Sequence, residues 1–195
     1  MREIEDALAI AERSGDNLQL GVAWLTLGLA RVHRHTDAER DRGQKLLAEV
    51  REVFLRGGHF LCDLPMLDVY VARETARRGD RDGAIPLMRA AVDHLVREGQ
   101  QLGWGVPATG VLVETLLDRG DESDVGEAEA AIERLAAAPA DEGLAGRDIL
   151  LLRLRALLAR AHGDDAGYRG YRDRYRDMAK TLGFEGHMTW AEAMP

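Results

Sequence analysis

The chain has 195 residues, room for one domain with a substantial core, and its 46% hydrophobic and 31% charged residues exclude a wholly disordered polypeptide. A formal charge of −8 and a pI near 5.3 argue against the basic footprint that nucleic acid or an anionic membrane needs, so neither is expected as a partner. Aromatic residues reach only 5% while Ala, Leu, Arg and Glu dominate, an alphabet of helices rather than strands.

In chain order, apolar residues recur at helical spacing between short clusters of Gly, Pro, Asp and Asn. The pattern predicts about ten helices, near Arg2 to Ser14, Asn17 to His33, Asp37 to Arg56, Leu64 to Arg78, Arg81 to Glu98, Val106 to Arg119, Ser123 to Ala137, Gly146 to His162, Ala166 to Leu182 and Glu185 to Ala193. No segment alternates with period two for long enough to make a strand. The N-terminus is charged from its second residue and carries no apolar run, so a signal peptide is not expected. Cys62 stands alone, which rules out an intramolecular disulfide and points to the cytoplasm. The longest uncharged stretch, Gly99 to Val113, is rich in Gly and Gln and falls short of the roughly 20 apolar residues a membrane span requires. Lys45 and Lys180 are the only lysines; with the alanine excess, this reads as a GC-rich genome.

The helix boundaries repeat. Gly79-Asp80, Gly120-Asp121 and Gly163-Asp164 each follow a helix ending in Arg or His and precede another helix, at spacings of 41 and 43 residues. A turn at His35-Thr36-Asp37 lies 43 residues before Asp80 without the glycine. Glycine supplies the left-handed conformation that ends one helix, and aspartate caps the amides that open the next. Helix pairs recurring every 34 to 47 residues or so are the signature of an α-solenoid, each pair burying its apolar face only against its neighbours.

Trp24-x-x-Leu27-Gly28 stands where a tetratricopeptide repeat places its Trp-x-x-Leu-Gly, and Ala72, Gly79-Asp80, Ala84 and Ala91 fall at that repeat's small-residue and turn positions, with Met88 replacing an aromatic. The chain therefore resembles an array of tetratricopeptide-like antiparallel helix pairs in one domain over residues 1–195: a half repeat at 1–16, units at 17–57, 64–98, 106–138 and 146–183, and a capping helix at 184–195. Later units depart from the consensus, with Tyr168 where an alanine is expected. The ending from Tyr171 through Leu182-Gly-Phe-Glu-Gly-His187 to Pro195 resembles the C-terminus of actinobacterial signalling proteins. These join a class III adenylate cyclase domain, an ATPase and a helical-repeat tail; relatives end in a LuxR-type DNA-binding domain. The resemblance implies a tail module that receives signals or holds an assembly together.

No residue pattern demands chemistry. Gly103-Trp-Gly105-Val-Pro-Ala-Thr-Gly110 lacks the GK[ST] ending of a phosphate loop and reads as a loop between helices; no cofactor is expected. His59 with Cys62, and His33 with His35, have no second pair at zinc spacing, so no metal is expected either. A Cys62–His59 dyad would make a hydrolase, but it has no orienting third group, and a structural cysteine in a buried loop beside Phe60 is the simpler reading. Serine occurs only at Ser14 and Ser123, both in predicted turns. The acids at Asp121-Glu122-Ser-Asp124 and Asp164-Asp165 follow helix-ending glycines, where capping and the helix dipole account for them.

What remains is a binding surface. By repeat position, Arg73, Glu114, Arg153 and Arg160 are the candidate polar residues of a partner groove, with Val22, Leu25 and Leu29 making its N-terminal part apolar. Arginines there suit an acidic peptide or carboxylate. Phe184, Met188, Trp190 and Met194 give the last helix the amphipathic character of a cap, while the first helix lacks one and offers a face for a second copy. A non-catalytic interaction or regulatory module is expected. The alternative is a small-molecule effector-sensing helical domain of a transcriptional regulator, with the Gly99 to Gly110 loop over an apolar pocket.

Overall fold

A computed structural model describes residues 2–34, 36–58, 60–139 and 143–194. Among these residues the chain forms ten α-helices and no strand: α1 (Arg2–Ser14), α2 (Asn17–Val32), α3 (Asp37–Gly57), α4 (Leu64–Arg77), α5 (Arg81–Arg97), α6 (Gly105–Arg119), α7 (Glu122–Ala137), α8 (Ala145–Ala161), α9 (Asp165–Leu182) and α10 (Glu185–Glu192). A short 3-10 turn, Leu61–Asp63, precedes α4. The fold is all-α, and every helix begins and ends within one residue of where the apolar periodicity places it.

Glycine in the left-handed region ends the helices before each Gly-Asp turn, at φ of 106° for Gly79, 80° for Gly120 and 72° for Gly163. The aspartates then diverge. Asp80 accepts from the Gly83 amide at 2.8 Å and Asp164 from the Gly167 amide at 2.9 Å, whereas Asp121 makes no capping bond. The position three after Asp121 is Asp124, whose carboxylate pairs with Arg119. Asp121 instead reaches Arg119 at 3.4 Å. A fourth such turn, Gly15-Asp16, lies outside the 41–43-residue period; Asp16 accepts from the Leu18 amide at 2.8 Å.

Ser14 closes α1 and Ser123 lies in the first turn of α7, so neither serine occupies a turn as the sequence suggested. Gly105 and Gly110 lie within α6 rather than in a loop. That helix is buried nearly all round, from Val106 to Leu116, and a helix enclosed on every side shows no amphipathic period.

The chain divides into two compact units, Met1–Val71 and Ala72–Pro195, with the division inside α4. In the first unit α1 packs on α2 and α2 on α3. Gly28 and Gly43 bring the latter two close enough that a Cβ on Gly43 would lie 2.9 Å from the Gly28 carbonyl. Leu47, Val50 and Phe54 of α3 are fully buried, each removal from water contributing about 1.5–3 kcal/mol. Tyr70, in the middle of α4, meets both preceding segments: its hydroxyl is 3.3 Å from His33 Nε2 and its carbonyl accepts from Gln44 Nε2 at 2.9 Å.

In the second unit each helix from α5 onward packs on the next, and α6 also packs on α8. Met88, standing where the repeat consensus has an aromatic, is fully buried. Ion pairs join helices next but one along the chain: Arg89 of α5 makes a bidentate pair with Glu127 of α7 at 2.7 and 2.6 Å, and Arg153 of α8 bonds Glu114 of α6 at 2.9 Å. Their separations, 38 and 39 residues, are nearly equal.

Candidate functional site

Four residues were expected to line a partner groove, and all four belong to the second unit. Two of them meet. Arg153 Nε donates to Glu114 Oε1 at 2.9 Å, and both side chains are largely covered. Arg160, two turns further along α8, is exposed, and Arg73 on α4 is half-buried. Residues seven apart on one helix share a face, so Arg153 and Arg160 present a common side of α8, as Glu114 and Asp118, four apart, do on α6. Asp118 lies in the combined field of Glu114 and of Arg81, Arg160 and Arg77, which makes this side of α6 and α8 a surface of alternating charge.

The apolar residues named for the N-terminal part of the groove separate. Leu25 is buried in the core of the first unit, Leu29 is half-buried, and only Val22 is exposed. Leu25 therefore packs the core instead of lining a surface.

At one end of the charged surface α10 lies against Arg153 of the Glu114–Arg153 pair. The Arg153 guanidinium lies 5.2 Å from the centre of the Trp190 ring, within cation–π range. Tyr175 of α9, fully buried, places its hydroxyl 2.9 Å from His187 Nδ1, and the two rings meet edge to face at 5.7 Å. His187 in turn meets Trp190 edge to face at 5.1 Å. Met188 and Met194 pack beneath, against Ile149, Tyr175 and Ala179, as an amphipathic cap requires. Phe184 remains 37% exposed, tilted against His187.

Burial sets the protonation of this cluster. It pushes the Tyr175 phenol up and the His187 imidazole down, the latter reinforced by the positive charge of Arg153. For Arg153 itself burial opposes the charge, but Glu114 more than offsets it and keeps the guanidinium charged.

A second cluster surrounds the turn between α6 and α7. Arg119 makes a bidentate pair with the buried Asp124 at 2.6 and 2.7 Å and reaches Asp82 of α5 at 2.6 Å. Hydrogen bonds from Arg119 hold the Asp124 carboxyl below its ordinary range, and the same bonds raise the Arg119 pKa. This arrangement fastens three helices together through an ion pair that satisfies a buried carboxylate. The spacing of Arg119 to Asp124 across a Gly-Asp turn carries that signal in the sequence, where it reads only as capping.

Cys62 is exposed, not buried as expected; its thiol is 3.5 Å from Asp63 Oδ1. What burial it has, together with Asp63, pushes its pKa up and away from the thiolate a nucleophile needs. His59 and His35, the partners proposed for it and for His33, lie outside the described residues. Phe60 holds a left-handed backbone, φ 50°, with its ring 5.3 Å from that of Phe54. Among the described residues no group of three or more His, Cys, Asp or Glu side chains is placed to hold a metal ion, and no helix is long and apolar enough to cross a membrane.

Comparison of the chain with protein-family models, with curated proteins and with solved structures gives no match.

Proposed function

We propose that the chain is a non-catalytic interaction module that recognises an acidic peptide on the charged side of α6 and α8. The reading extends to its setting: a tetratricopeptide-like repeat region of a cytoplasmic signalling protein of the actinobacterial cyclase and ATPase type, where the partner is another domain or a regulatory protein. The observation that carries it is the pairing of Glu114 with Arg153 at 2.9 Å, one helix pair apart, beside an exposed Arg160 on the same face of α8. In the repeat reading these are equivalent positions of successive helix pairs, and arginine is suited to fork-like recognition of carboxylates. The near-equal separations of the cross-helix ion pairs support the repeat reading, as do the Gly-Asp turns.

The test is a peptide array probed with the full chain. Peptides bearing clustered Asp and Glu or a free C-terminal carboxylate are expected to be retained, with binding that weakens as salt rises. Equal retention of acidic peptides and their Asn/Gln counterparts would refute recognition by charge. Of the four glycines from Gly99 to Gly110, Gly105 and Gly110 lie in α6, where a Cβ on Gly105 would lie 2.9 Å from the Gln100 carbonyl and one on Gly110 would lie 3.1 Å from Leu150.

A further inference from the structure

Two side chains fasten α10 to the rest of the second unit through polar contacts: His187, facing Tyr175 of α9, and Trp190, facing Arg153 of α8. The remaining hold is apolar, through Met188 and the buried Ala191. The polar contacts have a direction. The positive charge of Arg153 bears on the Tyr175 hydroxyl, whose hydrogen-bond partner is His187. With the tautomer that leaves Nδ1 bare, the Tyr175 hydroxyl donates to His187 Nδ1, and Nδ1 can accept that proton only when the imidazole is neutral.

Protonation would reverse this. A charged His187 has no acceptor nitrogen, so the Tyr175 proton would lose its acceptor and the contact would persist only with Nδ1–H donating to the phenol oxygen, beside the positive charge of Arg153. The charge would sit near Arg153 in a half-buried site, with Glu114 as the opposing acid, already bonded to Arg153. It would also sit in the first turn of α10, where the helix dipole disfavours a cation. Within α10 the other charged groups are Glu185 and Glu192. Burial, a neighbouring guanidinium and the dipole favour the neutral ring.

We infer that α10 is a proton-operated latch: neutral His187 keeps it seated over Tyr175 and Arg153, and protonation of His187 releases it while the rest of the unit stays folded. Release uncovers Ile149, Tyr175 and the Glu114–Arg153 pair. The inference stands on the contacts of α10 alone and does not depend on what binds the charged surface.

The sign follows from linkage. A docked histidine with a pKa below its ordinary 6.5 leaves docking at full strength above that value; below it, the released state takes up the proton first and docking weakens as pH falls towards the docked pKa. The experiment is hydrogen exchange of the full chain between about pH 7.5 and about pH 5.5, corrected for intrinsic rates and read peptide by peptide. Protection of α10 is expected to fall by up to about tenfold per pH unit while that of α6 holds. His187→Gln, which keeps an acceptor but cannot take the proton, should flatten the profile. Parallel loss in α6 and α10, or an unchanged profile in His187→Gln, would overturn the latch. Should that variant leave α10 released at every pH, Tyr175→Phe decides. A reduced pH response there supports the latch, and a full one refutes it.

Discussion

Single glycines show how far one atom decides packing. Gly43 has the Val32 amide nitrogen at 2.8 Å and the Gly28 carbonyl at 2.9 Å from where a Cβ would stand, both backbone atoms that cannot swing aside. Gly43→Ala should therefore destabilise the protein by about 2 kcal/mol or more despite alanine's better helix propensity, a loss that urea denaturation followed by circular dichroism measures directly. Gly126, inside α7, has nothing within 4 Å of its Cβ position. Gly126→Ala should stabilise by about 0.5–1 kcal/mol, and a loss there would mean that α7 is not the regular helix described. Both glycines look alike in the sequence, since the difference lies in the partner helix and not in the flanking residues.

Helices were legible from periodicity and turn residues because local physics fixes both. What escaped was decided across helices. Asp121, Asp124 and Arg119 read as a capping cluster, yet Asp124 pairs with Arg119 of the preceding helix. Asp124→Ala should cost about 2 kcal/mol by leaving Arg119 short of its buried partner, whereas Asp121→Ala should cost much less. Asp80→Ala, which removes the bond to the Gly83 amide, should cost about 1 kcal/mol. The pair also predicts an acid limb. With its carboxyl held below the ordinary 3.8, Asp124 contributes stability above that pH and loses it as the pH falls through the folded-state value. Urea midpoints of the parent should therefore fall more steeply below that pH than those of Asp124→Asn; coincident acid limbs would remove Asp124 from the account.

For the whole molecule, the candidate surface was partly legible. Repeat position singled out Glu114 and Arg153, which meet, and Arg160, which shares their face; it could not anticipate that Trp190 covers Arg153, because that contact joins α8 to a helix more than 30 residues away. The central claim is that a charged surface with an exposed arginine recognises acidic peptides. Its most direct measurement is the affinity of the full chain for an acidic peptide taken from the array, before and after Arg160→Glu, by fluorescence anisotropy at fixed ionic strength. Arg160 is exposed, so the substitution should shift stability by no more than about 0.5 kcal/mol. The account predicts a loss in affinity of about tenfold or more, about 1.4 kcal/mol, partly restored when one acid of the peptide is changed to lysine. Unchanged affinity in a normally folded variant would contradict it.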